Sequence, residues 1–177
     1  MSSEVGSVTA RLGVAVQAYQ GVVDDFDREL ARLLGVNETG LRCLELLLEG
    51  EEVAPGWLAA KLGLTTGSVT TLLDRLEQLD YLTRTPHPTD RRRALVRITP
   101  QASERAFGLI APFLDDSARI LTRFTPEQLE LVAAFLRASR ETTEVHVQRL
   151  RDMSATSPKR SGGRQAPGPR GSARSRA

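Results

Sequence analysis

The chain has 177 residues, 40% of them apolar, which suits one domain with appendages and is enough to bury a core. Its longest apolar runs, such as Leu44–Leu48, fall far short of the roughly 18 residues a membrane span needs, and the first residues, "MSSEVGSVTARLG", lack a basic stretch followed by an apolar one, so a cytoplasmic protein without membrane attachment is expected. The net charge of +2 hides an asymmetry: six of the 24 basic residues (Lys159, Arg160, Arg164, Arg170, Arg174, Arg176) follow Ser154 with no acid among them, leaving 18 basic against 22 acidic residues before it, a net −4.

In chain order, Val8, Leu12, Ala15, Tyr19, Val22, Val23, Phe26, Leu30 and Leu33 recur every three or four residues and predict one long amphipathic helix from Val8 to Leu34. Glu38, Thr39 and Gly40 punctuate the chain before a second helix, whose Leu41, Leu44, Leu47 and Leu48 repeat the spacing and which Gly50 ends. Cys43, the single cysteine, cannot form an internal disulfide and lies among leucines, so it reads as inert packing or as a redox-sensitive thiol.

Ala54–Leu64 predicts a short helix with Pro55 in its first turn and Gly63 in the turn that ends it. Thr65 then caps a longer helix, "TTGSVTTLLDRLEQLDYL", with Val69, Leu72, Leu73, Leu76 and Leu79 on one face and Thr66, Gly67, Ser68, Thr70, Thr71, Asp74 and Arg75 on the other.

After Tyr81 the period drops to two. Leu82–Thr85 and Ala94–Thr99 predict a β-hairpin, with Ala94, Val96 and Ile98 on one face of the second strand; Pro86 and Pro88 keep the tip, with its arginines, out of the ladder. Arg84 and Arg97 read as strand-face residues that pair across the hairpin or touch phosphate.

Thr99-Pro100 opens a helix whose apolar pattern runs on to Phe124 and which Pro112 should kink. Thr125-Pro126-Glu127-Gln128 is a capping box opening a last helix to about Leu150. The remaining Ser, Gly, Pro, Ala and Arg residues predict a disordered tail, a solvated appendage or a sequence-independent basic arm for phosphates.

The fold class is therefore mainly α with a small β-hairpin: a winged helix-turn-helix lobe with long helices on either side. In such a lobe the second helix of the turn offers its polar N-terminal face to the major groove of double-stranded DNA while the wing reaches the backbone or minor groove. Short hydroxyls at Thr65, Thr66, Ser68, Thr70 and Thr71 suit phosphates or base edges, Gly67 permits close approach, and Arg75 suits a guanine edge or a phosphate. With two histidines, one cysteine, no glycine-rich phosphate loop and no metal-ligand spacing, the chain holds no recognisable catalytic set, and no cofactor is expected.

"LAAKLGLTTGSVTTLLDRLEQLDYL" (Leu58–Leu82) and "HPTDRRRALVRIT" (His87–Thr99) together resemble the helix-turn-helix and wing signature of the MarR family (multiple antibiotic resistance regulators), over residues 8–150. The resemblance implies that the flanking helices form an intertwined dimerisation domain: 1–36 and 101–151 dimerise, 37–100 bind DNA, and 152–177 form the tail. It further implies a homodimeric regulator, a repressor, on a pseudo-palindromic operator with half-site centres about 10 base pairs apart. Arg92 would enter the minor groove with Asp90 orienting it, while Arg91 and Arg93 neutralise phosphate.

The family pattern is not followed everywhere: His87 stands where aspartate is common, Ile98 where leucine, Ala102 where glycine, and Thr71 where an arginine often lies. The resemblance also implies a small-molecule effector bound between the dimer domain and the winged lobe. Tyr19, Phe26, Trp57 and Phe113 are candidates for that pocket and equally for the core. Two alternatives stand beside this reading: a winged-helix module that binds a protein partner without reading DNA, and a redox-sensing regulator using Cys43.

Overall fold

The computed structural model describes residues 2–50, 52–90 and 94–156. Its contacts divide the chain into a unit ending at Arg119 and another beginning at Ile120.

The first unit opens with α1 (Ser2–Leu34), followed by α2 (Glu38–Glu49), α3 (Pro55–Leu62) and α4 (Thr66–Gln78), then the strands β1 (Leu82–Pro86) and β2 (Ala94–Ile98) and most of α5 (Pro100–Leu121). Helix α1 starts six residues before the expected Val8. The stretch expected to punctuate the chain before α2 is instead its first turn, because Asn37 Oδ1 accepts the Gly40 N–H at 2.8 Å and caps the helix earlier.

Helix α4 ends at Gln78, short of the expected Leu82. The Tyr81 N–H returns to the Leu76 carbonyl and the Asp80 N–H to that of Glu77, with Asp80 in the left-handed region at φ 58°. This is a Schellman-type stop built on an aspartate rather than a glycine, and it leaves Leu79 exposed at the helix end instead of on the buried stripe.

The strands pair antiparallel, Leu82 with Ile98 through Pro86 with Ala94, so Pro86 closes the ladder rather than lying outside it. Val53 forms a reciprocal bridge to Val96, its N–H on the Val96 carbonyl at 3.0 Å and its carbonyl on the Val96 N–H at 2.8 Å. That contact makes β2 central and leaves Val96 fully buried.

One core fills the lobe. Leu44, Leu47 and Cys43 of α2, Leu58 of α3, Val69, Leu73 and Leu76 of α4, Leu82 and Val96 of the hairpin and only the last turns of α1 (Leu30, Ala31, Leu34) contribute to it. Alternation of period 3.6 in the helices and 2 in β2 puts these side chains on a common interior. The earlier part of α1 has no such cover, and Val8, Leu12, Tyr19 and Val22 are exposed. On α5, which continues through Pro112, Ala102 and Ala106 are buried while Phe107, Leu109, Phe113 and Leu114 are exposed.

The second unit holds α6 (Pro126–Thr156). The expected capping box forms in both directions: the Thr125 N–H donates to Gln128 Oε1 at 2.9 Å and the Gln128 N–H to Thr125 Oγ1 at 3.3 Å. Within α6, Leu131, Val132, Phe135, Leu136, Val145 and Leu150 are exposed apolar residues. The helix runs past Leu150 to Thr156, into the stretch expected to be tail, and the rest of that tail lies outside the described residues. No helix among the described residues is long and apolar enough to cross a membrane.

Candidate nucleic-acid interface

Two helices and a hairpin build the site. Gly63 ends α3 at φ 66°, its N–H on the carbonyls of Ala59 and Ala60, a left-handed corner that costs glycine little. Thr65 follows as N-cap of α4, with Oγ1 accepting the Ser68 N–H at 3.2 Å and lying 2.8 Å from Ser68 Oγ. The start of α4 is thus fixed by its own side chains, and its partial positive charge faces out.

Helix α4 sorts most of its residues as the sequence predicts, with Leu72 half-buried and Leu79 exposed. Val69, Leu73 and Leu76 are each 1% exposed, while Thr66, Gly67, Ser68, Thr70, Thr71, Asp74 and Arg75 lie exposed. A Cβ at Gly67 would meet nothing within 4 Å, so the fold itself does not require glycine there. Two of the hydroxyls that were expected to suit phosphates or base edges bond the helix itself. Thr70 Oγ1 donates to the Thr66 carbonyl at 2.8 Å and Thr71 Oγ1 to that of Gly67 at 3.2 Å. With their protons committed to the helix, these oxygens face outward as acceptors, suited to the amino groups of cytosine or adenine rather than to phosphate.

Arg84 of β1 was expected to pair across the hairpin or touch phosphate. Instead it spans to α4: Nη2 meets Asp74 Oδ1 at 2.6 Å and Nη1 meets Glu77 Oε2 at 2.5 Å. One guanidinium thereby holds two carboxylates on neighbouring turns of α4, and β1 is tied to the helix beside it. The legible signal was Asp74-x-x-Glu77 followed seven residues later by an arginine in a strand.

Beyond β1, His87 takes on a turn role that aspartate commonly serves: Nδ1 accepts the Thr89 N–H at 3.3 Å, two residues on, in the manner of an Asx turn. Asp90 is exposed next to it. Arg91, Arg92 and Arg93 lie outside the described residues.

Of the four aromatic candidates for an effector pocket, none belongs to the core, since all are at least 37% exposed. Phe26 and Phe113 come together with ring centroids 5.0 Å apart. Tyr19 lies on α1 two turns before Phe26, and Trp57 stands apart on α3 with Lys61 Nζ 5.6 Å over its ring, a contact not anticipated from the sequence although the pair is spaced i, i+4. The cleft of about 420 Å³ between α1 and α2 is lined by Asp24, Asp27, Arg28, Glu38, Arg42 and Glu45 among others, and by none of those aromatics.

Cys43 is fully buried, and burial pushes its thiol up to about 11. A thiol so enclosed and so weakly ionised has little thiolate for an oxidant, which removes the support for a Cys43 sensor in this conformation.

Comparison with known proteins agrees with this geometry. The MarR family model matches residues 34–93, the span from the end of α1 to the wing tip. The chain is 32% identical over 126 residues to the "Uncharacterized HTH-type transcriptional regulator YcgE" of Bacillus subtilis, covering 71% of this chain and 82% of the relative. Among solved structures it resembles a MarR family protein from Bacillus stearothermophilus (TM-score 0.60, 20% identity, 77% of this chain and 96% of that one). It also resembles a point mutant of S. aureus MepR bound to an oligodeoxyribonucleotide (TM-score 0.53, 16% identity, 75% and 97%).

Proposed function

Since the chain belongs to the MarR family, whose winged-helix members are DNA-binding transcription regulators and not enzymes, we propose that it acts as a homodimeric repressor on a pseudo-palindromic operator, released by a small ligand. The observation that carries this reading is the capped start of α4, which turns one continuous polar face outward next to a wing tied to the same helix.

In this reading α4 lies in the major groove. Thr65, Thr66 and Ser68 meet phosphates, Gly67 lets the backbone approach, Thr70 and Thr71 accept from base amino groups, and Arg75 takes a guanine edge or a phosphate. The tip follows the neighbouring minor groove with Arg92, oriented by Asp90, and Arg91 and Arg93 add phosphate contacts.

The apolar residues left exposed on α1 and α5, and separately on α6, support the dimer, because a lone chain would hold that surface in water. In this reading residues 1–36 and 101–151 serve dimerisation, 37–100 form the DNA-binding lobe, and 152–177, which begin in the last turn of α6, add a basic arm. Phe26 and Phe113 are the core of the effector site, with Tyr19, two turns earlier on α1, and Trp57 as further candidates. A ligand there acts only through a difference in affinity for two spacings of the recognition helices.

The test is Arg92→Ala in an anisotropy titration over a range of salt. Weaker binding and a salt slope lower by about one are expected. Unchanged affinity and slope would remove Arg92 from the interface.

A further inference from the structure

An α-helix leaves its last four carbonyls without partners inside the helix. In α1 those belong to Ala31, Arg32, Leu33 and Leu34, and all four are accounted for. The first two are closed locally: Gly35, at φ 70°, gives its N–H to Arg32 at 3.1 Å, and Val36 gives its N–H to Ala31 at 3.0 Å. The other two are closed from far along the chain. Arg105 Nη2 of α5 donates to the Leu33 carbonyl at 3.0 Å, and Tyr81 Oη donates to the Leu34 carbonyl at 2.5 Å. The Arg105 guanidinium also lies 5.8 Å from the Tyr81 ring, so the two donors support each other, and its charge sits at the negative end of the α1 dipole.

Tyr81 is where α1, α4 and α5 meet. Its side chain holds α1, its backbone N–H bonds Leu76 at the end of α4, and its carbonyl accepts the Thr99 N–H at 3.0 Å. Thr99 Oγ1 donates to the Asp80 backbone carbonyl at 2.8 Å and caps α5 by accepting the Ala102 N–H at 3.1 Å. Tyr81 is 5% exposed, and its ring packs within the core. A tilt of α4 against α1 would stretch the tyrosine bond first, and a tilt of α5 against α1 the arginine bond.

We infer that Tyr81 and Arg105 are positioning residues that set the angle of the recognition helix on α1 and α5, and hence the operator half-site spacing the protein accepts. Neither residue needs to touch DNA. The inference rests on the dimeric DNA-binding reading only for its consequence; the geometric part concerns a single chain.

The test has two arms, both on the full chain. For the first, cysteines at Gly21 on α1 and Ser68 on α4, on a Cys43→Ala background, carry spin labels, with the labelled chain diluted in unlabelled protein. The wild type gives one narrow distance distribution, and Tyr81→Phe with Arg105→Gln widens it; Arg105→Lys, which keeps a donor and the charge, stays near wild type.

For the second, wild-type protein selects genomic fragments, and the recovered half-site is rebuilt at its preferred separation and with one or two base pairs added or removed. Tyr81→Phe/Arg105→Gln is expected to bind the preferred spacing about tenfold more weakly, with less than a twofold loss at the altered spacings, because the loss of two hydrogen bonds relaxes the preference rather than abolishing contact. An unchanged distance distribution, or an equal loss at every spacing, overturns the inference. If the wild type selects no fragment while the distribution still widens, the positioning role stands and the DNA reading is what fails.

Discussion

Arg84→Ala separates two roles that the hairpin arginine can play. The wild-type guanidinium makes charge-assisted hydrogen bonds of 2.5 and 2.6 Å, with its own side chain 27% exposed and those of Asp74 and Glu77 51% and 40% exposed. Pairs this wet are screened, so each contributes well under the value of a buried pair; two sharing one rigid fork come to about 1 kcal/mol. Truncation also leaves two like charges three residues apart on α4, a further few tenths of a kcal/mol. The sum, about 1–1.5 kcal/mol, lowers the melting temperature by about 2–6 °C in a protein of this size.

Melting followed by circular dichroism gives the stability, and a salt series of anisotropy titrations gives the slope for DNA binding. If Arg84 holds the wing to α4, the melting temperature falls and the slope stays at its wild-type value, since the guanidinium is occupied by carboxylates. Triple replacement with Asp74→Asn and Glu77→Gln removes the repulsion between the two carboxylates and remains destabilised if the fork geometry matters. A slope reduced by about one with no change in melting would refute the clamp and make Arg84 a phosphate contact.

Three further outcomes follow from burial and charge. Peroxide should leave DNA affinity unchanged, because Cys43 is enclosed and its thiol is pushed up to about 11; stoichiometric sulfenic acid labelling of Cys43 in the folded protein would contradict this. The same shift means that an unfolded chain ionises first, so stability should fall as pH rises from about 9 towards 11. Asp27 is raised above its ordinary value by burial first and then by Glu45 and Asp24, with Arg42 opposing. Its contribution to stability is thus present in acid and lost as pH rises through its folded value, so Asp27→Asn should melt slightly higher than wild type at pH 7, by no more than about 2 °C, with the gap closing towards pH 4. A lower melting point at pH 7 would show that the carboxylate is net stabilising.

Much of the fold was legible because its signals are local. Apolar periodicity marked the longer helices, Pro55 and Gly63 bracketed α3, Thr65 and Thr125 announced their caps, and the period change at Leu82 marked the wing. The polar face of α4 was legible for the same reason, since residues opposite a buried stripe must face out. What stayed hidden depends on partners distant in sequence. Nothing in β1 by itself says that Arg84 turns to α4 rather than across the hairpin, and Tyr81 meets Leu34 across 47 residues. Val53 could not be seen as the neighbour of Val96, since a single bridging residue has no period. The α4 stop was missed because an aspartate, not a glycine, takes the left-handed position. The four aromatics were read as core or pocket; their exposure excludes the core reading within a single chain.

Whether two copies of this chain read one symmetric site is the central question. Genomic-fragment selection with the wild-type protein, followed by footprinting and stoichiometric titration on the recovered duplex, measures that. The prediction is a protected inverted repeat with half-site centres about 10 base pairs apart and two chains bound per duplex. Recovery of no fragment above background, or one chain protecting a site without symmetry, would contradict it.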